Sequence, residues 1–518
     1  MSSLVVFLVA LPLCIGIANA VGVPPALGLI TGIIGGVVVG IFAGSPLQVS
    51  GPAAGLFVII ADLLARGREN YLAGIEGVVD QTVEEAANGH ALLILGTSVF
   101  LAGIIQIVAG QLKLGQWFRA VSPAVIKGML SGIGILILLS QFHTMLDHTA
   151  MWDGEKARGA WKLAATIPEA ILKCFSSDTD QNHHLAALAG IVAIVCFVVW
   201  PKVTPKSLKF LPAALVGILM ATLVASVASL DIDKLDVQKN MFNQFALPDA
   251  SWVKQFMNPM VLTGALVIAL VASAETLLCA TAVDQMHQGP RTNYDKELMA
   301  QGVGNMLCGT INALPMTGVI VRSSANVNSG AKTRLSAIMH GVWLLIFVGT
   351  LPFILSYIPR SALGALLVYT GYKLVNVKEI KKLWATSRGE ALVYFTTLTM
   401  ILATDLLVGV LIGIGLSAIR LLIRFSDLEL ELTMPADKKA NLKLTGAATF
   451  LGLPKLAAEL EKVPQGAELV VEFENLTYID HACLDLLMNW AKQHASFGGQ
   501  LILDWEELQG RFGPENKR

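Results

Sequence analysis

Charge is scarce in this sequence. Asp, Glu, Lys and Arg make up 14% of its 518 residues, where soluble domains carry about 25%. Hydrophobic residues make up 54%, and mean hydropathy is +0.64. Lipid is the solvent these proportions require. A formal net charge of -1 leaves no basic footprint for nucleic acid, which is excluded as a partner. The six cysteines, Cys14, Cys174, Cys196, Cys279, Cys308 and Cys483, are scattered. They form no CxxC pair and no disulfide framework, and four lie in apolar runs as small buried hydrophobes. The nine histidines show no metal-ligand spacing. Nucleophile elbow, phosphate loop and zinc motif are all missing, so an enzyme is not expected.

What is present is a succession of apolar runs. Leu4 to Ala20 ends in Ala18-Asn19-Ala20, which resembles a signal-peptidase site. Met1-Ser2-Ser3 carries no positive side chain, however, and the run continues into a second apolar segment. It reads as the first span, with little or no cytoplasmic leader. By the length a bilayer demands, spans are expected near 4–22, 25–43, 91–111, 120–142, 184–200, 210–229 and 259–281. Others are expected near 296–312, 335–356, 360–376, 389–404 and 405–425. Two shorter stretches, 52–65 and 321–329, bring the total to about fourteen segments.

Lys113/Arg119, Lys202/Lys206/Lys209, Lys332/Arg334 and Lys378/Lys381/Lys382/Arg388 fall on one side of this layout. The positive-inside rule makes that side cytoplasmic. The longer loops 66–90, 143–183 and 231–258 mix acids and bases and fall outside. The composition changes after Arg424. Asn441–Gly446, Glu468–Phe473 and Gln500–Trp505 read as strands, with a helix between the first two and another over Asp480–His494. Residues 426–518 are therefore expected to form a small cytoplasmic α/β domain behind a membrane domain of 1–425.

Two of the runs are interrupted in the same way. Ser45-Pro46-Leu47-Gln48-Val49-Ser50-Gly51-Pro52-Ala53-Ala54-Gly55 leads into one short helix, and Leu314-Pro315-Met316-Thr317-Gly318-Val319-Ile320-Val321-Arg322-Ser323 into the other. Each has a Pro, a short β-capable stretch, then small residues. Pro46 to Ala53 and Pro315 to Arg322 are both seven positions. Pro52 suits a first helical turn. In an inverted repeat, such half-helices point their positive N-terminal ends and free N–H groups at one small anion. Pro and Gly merely kinking ordinary spans is the plainer alternative.

Glu275 lies within LVIALVASAETLLCATAV, where a carboxylate is costly. It reads as a proton carrier, a cation ligand or a counter-charge for Arg322, against the plainer role of hydrogen-bonding nearby backbone. Arg322 either adds positive potential near the anion, pairs with Glu275 or anchors its helix. Asp284, Arg291 and Glu297 are expected in a cytoplasmic turn as ion-pairing groups, and Asp405 as a solvated cap between spans. His183-His184 are expected at an extracellular helix start.

Together these residues resemble the SulP family of anion transporters over nearly the whole chain. ASAETLLCATAVDQ followed by ELMAQGVGNMLCGTINALPMTGVIVRSSANVNSGAKT is the most specific part. GVPPALGLITGIIGG with PLQVSGPAAG is the second, and VEFENLTYIDHACLDLLMNWA resembles a STAS domain. The resemblance implies an α-helical polytopic fold of two inverted seven-segment repeats, as in the uracil-transporter architecture. A moving core (about 1–111 and 259–356) would work against a gate (about 120–229 and 360–425) that dimerises, giving elevator-like alternating access. Carried over by position, the anion-binding backbone is Ser50, Gly51, Ala53 and Ala54 on one side. Gly318, Val319, Ile320 and Val321 form the other, with Arg322 behind.

Sodium-coupled bicarbonate members place an Asp and, four residues later, a Thr in the eighth span, with a further Thr from the tenth segment. Here those positions look like Glu275, Cys279 and Ile320. Losing two hydroxyls weakens a site for a hard cation, so proton coupling is preferred over sodium at Glu275. His481 follows Asp480 where the family often has a phosphorylatable Ser. The ETLLC pattern is similar to bacterial proteins associated with carbonic anhydrases, which favours bicarbonate over sulfate. The rivals are an uncoupled exchanger or channel and a membrane-anchored regulatory protein acting through its STAS domain.

Overall fold

The structure, a computed structural model, describes residues 1–503 apart from 76–79, 119–121, 158, 176–181, 206–207, 209, 236–249, 405, 437 and 474–475. Arg119, Lys206, Lys209, Asp405 and the Asp504-Trp505 end of the last expected strand therefore lie outside the described residues. Two compact units result, Met1–Ile414 and Gly415–Arg518. The division falls within the last membrane helix, whereas composition placed it at that helix's end.

In the first repeat the helices are α1 (Ser2–Ala20), α2 (Pro25–Phe42), α3 (Phe57–Leu72), α4 (Gln81–Gln111), α5 (Pro123–Met145), α6 (Ala160–Lys173), α7 (His183–Val203) and α8 (Ala213–Val227). The second repeat has α9 (Pro259–Met286), α10 (Tyr294–Thr310), α11 (Ile320–Asn328), α12 (Leu335–Thr350), α13 (Arg360–Leu374), α14 (Val377–Thr386), α15 (Arg388–Ala403) and α16 (Leu406–Phe425). Setting aside α6 and α14, which join neighbouring spans, fourteen membrane segments are present among the described residues, seven in each half. Pro starts several helices at the position where its missing N–H costs nothing, as in α2, α5 and α9. One boundary differs widely from expectation. α4 begins at Gln81, capped by the Asp80 carboxylate on Val83 N (2.9 Å), because the polar run before the membrane has its own helix-forming residues and cap.

The helices sort into two packed groups. In one, α4 lies against α3, α9 and α10, while α1 lies against α2, α11 and α12. In the other, α5 lies against α13 and α15, and α7 against α8 and α13. Each group has a crossing where two glycines face one another. A Cβ at Gly103 or at Gly302 would stand 2.6 Å from the other's carbonyl oxygen. The corresponding approaches between Gly134 and Gly371 are 2.7 and 2.6 Å. Small residues let helices touch backbone to backbone, which is how spans associate when lipid removes the hydrophobic incentive.

Two three-residue strands interrupt the helical pattern, β1 (Ser50–Pro52) and β2 (Met316–Gly318). They pair antiparallel, with Ser50 opposite Gly318, Gly51 opposite Thr317 and Pro52 opposite Met316. α2 approaches this ladder through a π-helical turn at Gly35–Val39, and a Cβ at Gly35 would lie 2.6 Å from the Ser50 carbonyl oxygen.

In the second unit, β3 (Leu428–Ala436), β4 (Lys439–Ala448), β5 (Glu468–Glu472), β6 (Leu476–Ile479) and β7 (Gln500–Ile502) form one sheet. β4 is central, antiparallel to β3 and parallel to β5 and β6, and β7 extends the sheet parallel to β5. Helices α17 (Leu453–Leu460) and α18 (His481–Ala495) complete it. Leu442, Leu444, Leu456, Leu469 and Leu487 are in its core. Asp480 opens α18 as the sequence indicates, accepting from Cys483 N at 2.9 Å.

Candidate functional site

Backbone that is not helical at membrane depth has to find partners inside the protein. Around the β1–β2 ladder, side chains from several helices supply them. The Asn305 carboxamide accepts from Met316 N (2.8 Å) and donates to Met316 O (3.2 Å). Thr276 Oγ1 accepts from Gly318 N at 3.0 Å. Ser323 Oγ accepts from Val49 N (2.9 Å) and donates to Val319 O (2.8 Å). Asn326 Nδ2 donates to Leu47 O at 2.9 Å, and Thr31 Oγ1 to Leu314 O at 2.8 Å. The ladder is held from both repeats at once.

Each strand then runs through a single residue into a helix start. Ala53 precedes the 3-10 turn Ala54–Leu56 that opens α3, and Val319 precedes α11. Neither cap residue offers a side-chain acceptor. The first N–H groups of both helices, at Ala54 and Gly55 and at Ile320 and Val321, have no carbonyl one turn back to receive them. The two starts lie at opposite ends of a ladder about 10 Å long, with their positive dipole ends toward it. Matching cap to cap corrects the seven-position overlay. Val319, rather than Arg322, corresponds to Ala53, and Pro52 lies in the strand instead of the first helical turn.

Exposure divides the nine candidate binding residues. Ile320 and Val321 are 44% and 45% exposed, and Ala54 and Val319 are half-buried. Ser50, Gly51, Ala53, Gly318 and Arg322 are buried. Gly318 N and Val319 N are engaged within the protein, the latter on Val49 O at 2.9 Å. The uncommitted donors are thus those at the two helix starts, exposed residues at Ile320 and Val321, half-buried at Ala54 and buried at Gly55.

Arg322 is fully buried. Its guanidinium lies against Gly51, so closely that a Cβ there would collide with Nη1, and Nη2 donates to Pro52 O at 3.2 Å. Nε and Nη1 meet no acceptor in the protein. No ion pair joins Arg322 to Glu275 among the described residues. The guanidinium sits behind β1, and the Glu275 carboxylate of α9 meets the Thr317 side chain of β2 instead. The Glu275 carboxyl group abuts Gly55, the opening turn of the first half-helix: a Cβ at Gly55 would lie 2.7 Å from Oε1. Its Oε2 is out of solvent and unpartnered. One turn on, Cys279 is buried with its Sγ 3.5 Å from Ser323 Oγ, so α9 touches both half-helices, one through each residue.

Glu297 overturns an expectation. Far from being an ion-pairing group in a turn, it is fully buried on α10. Its Oε2 accepts from Ser45 N (2.9 Å), and Oε1 accepts from Gln48 Nε2 and Gln301 Nε2 (3.0 Å each). Gln301 Nε2 also donates to Ser50 Oγ at 2.5 Å. The approach to β1 therefore hangs on one carboxylate. The spacing 297, 301, 305 carried the signal: three polar residues on one helix face, one per turn. Adjacent Asp295 and Lys296 hid it by making the stretch look solvated. Asp284 is also buried, and it accepts from Thr292 Oγ1 (2.8 Å) and Tyr294 OH (3.2 Å). Arg291 meets the Asp284 backbone carbonyl (2.7 Å) and not its carboxylate. His183 starts α7 as expected, its Nδ1 3.0 Å from Leu146 O.

Residues 1–397 match the sulfate permease family, and residues 434–505 match a STAS domain. A putative sulfate transporter of Bacillus subtilis, YvdB, is 26% identical over 97% of this chain and 90% of its own. The bicarbonate transporter BicA of a Picosynechococcus is 26% identical over 84% of this chain and 72% of its own. Among solved structures, the transmembrane domain of a cyanobacterial BicA superposes with a TM-score of 0.63 at 22% identity, over 80% of this chain and 96% of that one. Murine Slc26a9 in its inward-facing state gives 0.78 at 15% identity, over 97% and 84%.

Proposed function

Since the chain belongs to the sulfate permease family of anion transporters, we propose that it carries one small inorganic anion across a bacterial inner membrane, bicarbonate in preference to sulfate. The observation that carries this reading is the pair of uncapped, accessible helix starts at Ala54 and Ile320, set at the two ends of one strand ladder. Backbone N–H groups and two dipole ends give a partial positive potential without an exposed fixed charge. That suits a monovalent anion better than a divalent one. Arg322, buried behind β1, adds long-range potential without touching the ligand. The relatives include putative sulfate and bicarbonate transporters alike, so the preference for bicarbonate rests on this weakness of fixed charge and on the ETLLC pattern.

Glu275 is the coupling group in this reading. It contacts the first half-helix at Gly55, so the ion or proton it holds is felt at the anion site. Cys279 supplies sulfur where a hard cation would need oxygen, which supports a proton over sodium. The group of helices around α4, α9 and α10 moves as the core. The group around α5, α7 and α13 stays as the gate and pairs with a second copy. The loops rich in Lys and Arg support a cytoplasmic STAS unit, with a soluble partner such as a carbonic anhydrase.

The test is uptake of labelled bicarbonate and sulfate into proteoliposomes under a proton gradient, a sodium gradient or neither, with a control for CO₂ leak. Proton-driven bicarbonate uptake is expected. Sulfate uptake alone would replace the substrate and keep the site. Absence of both from folded protein would favour a regulatory role through the STAS unit.

A further inference from the structure

We propose that α14, the short helix joining α13 to α15, is a docking surface for anionic phospholipid headgroups. From Lys373 to Arg388 the chain carries five cations (Lys373, Lys378, Lys381, Lys382 and Arg388) and one acid, Glu379. That acid is already held, since Lys127 Nζ of α5 donates to Glu379 Oε2 at 2.6 Å. The bond fixes one face of α14 to the protein, together with half-buried Ile380 and Leu383. At 100° per residue, Lys378, Lys381 and Lys382 then project over the opposite half, and Val377 and Trp384 flank them.

Depth follows from Trp384. Its ring packs edge-on against Phe395, centroids 6.0 Å apart, and Phe395 lies two turns inside α15. Leu392 and Phe395 are 60% and 39% exposed on that span, which is the surface a membrane helix turns to lipid. Trp384, itself 57% exposed, continues that apolar surface up to α14, where an indole marks the membrane interface. A helix at this level, with apolar residues along one flank and three lysines beside them, matches the interfacial pattern. Its cations sit among headgroup phosphates. Opposite charge and continuity with the lipid-facing surface together name the occupant.

The joining helix of the other repeat supplies an internal control. α6 also shows exposed apolar residues, Trp161 (79%) and Leu172 (69%). Its charges Lys162, Glu169 and Lys173 nearly balance, and Glu169 pairs with Lys173 at 2.8 Å. Of the two joining helices, α14 should therefore be the one that prefers anionic lipid.

The experiment reads lipid contact directly and needs no transport substrate, so it succeeds or fails separately from the functional reading above. Full-length protein is reconstituted with spin-labelled phosphatidylglycerol or phosphatidylcholine, and the motionally restricted fraction is compared by electron paramagnetic resonance. Phosphatidylglycerol should be preferred by about threefold or more at low salt, with the preference shrinking in about 0.5 M salt. K378Q/K381Q/K382Q should clearly lower that ratio. K378R/K381R/K382R should retain it, and K162Q on α6 should leave it unchanged. If the Gln variant does not fold, the Arg variant and the salt response of the wild type read the same question. Equal binding of both lipids by the wild type, or an undiminished preference in the Gln variant, overturns the proposal. So does loss of preference in the Arg variant.

Discussion

Gly55 and Glu275 are in direct contact: a methyl group added at Gly55 would stand 2.7 Å from the Glu275 carboxyl carbon. Gly55→Ala must therefore move the carboxyl group or the opening turn of α3. Overpacking of this kind costs about 1–3 kcal/mol. Gradient-driven uptake in proteoliposomes should fall by roughly tenfold or more, since displacing a positioned group by about 1 Å can cost that much. The protein should still elute as a folded species. Uptake equal to wild type would separate Glu275 from the first half-helix.

Glu275→Gln keeps the shape of the side chain and removes its charge. Coupled uptake should disappear while thermal stability is unchanged or slightly improved, because an unpartnered buried oxygen no longer carries an anion. Normal gradient dependence in this variant would sink the coupling role.

A fixed carboxylate at an uncapped helix start should act as a tethered competitor. Ile320 is 44% exposed at the first position of α11, so Ile320→Asp places an anion where the substrate would bind. Anion uptake should drop at least tenfold. The melting temperature should hold or rise, since an acid at a helix N-terminus stabilises by about 0.3–1 kcal/mol. Loss of stability together with activity would mean that the variant had merely damaged the fold.

Glu297→Ala leaves Ser45 N and Gln48 without their acceptor and Gln301 with Ser50 Oγ only. Leaving a buried donor unsatisfied costs about 1–3 kcal/mol, visible as a lower thermal unfolding midpoint in detergent. Glu297→Gln, which keeps one carbonyl acceptor, should lose clearly less. Unfolding midpoints equal to wild type for both variants would remove Glu297 from the scaffold.

Outside the membrane, burial pushes the His148 imidazole down to about 4, assisted by the Lys173 ammonium and the His143 ring and opposed by Glu169. Lys173 Nζ stands 3.4 Å from His148 Nε2, and the His143 and His148 Nδ1 atoms 3.1 Å apart. The folded chain then binds fewer protons here than the unfolded chain, whose histidine titrates near 6.5. Stability is complete above about pH 6.5 and declines as pH falls toward 4. Protection factors for the amides of α6, corrected for the pH dependence of intrinsic exchange, should fall between pH 7 and 5, and His148→Gln should flatten that response.

The residues that break a pattern were the ones legible in the sequence. Pro46, Pro52 and Pro315 interrupt apolar runs, and Glu275 stands in one. These four were enough to locate the ladder and the carboxylate beside it. Residues whose role depends on where another segment passes were not legible. Nothing local tells that the Arg322 guanidinium turns toward Gly51 and away from Glu275. Glu297 looked solvated because its sequence neighbours are, although its helix-face neighbours Gln301 and Asn305 are buried. The start of α4 was misplaced for the opposite reason: hydropathy finds the part of a helix in lipid and is blind to the part in water.

The β1–β2 ladder also sets a timetable. Val49 and Ser323, which bond across it, are 274 positions apart. At roughly 5–20 residues per second of synthesis, β1 emerges some 15 to 50 seconds before the strand that completes it. During that interval the N–H and C=O groups of Ser50 and Gly51 have no strand to pair with, and hydrocarbon would offer them nothing. The nascent first half must therefore wait in a wet or chaperoned place, such as the mouth of the insertion machinery, until the second half arrives. A chain truncated before Met316 should be recognised by membrane proteases as unfinished, however complete its first seven segments.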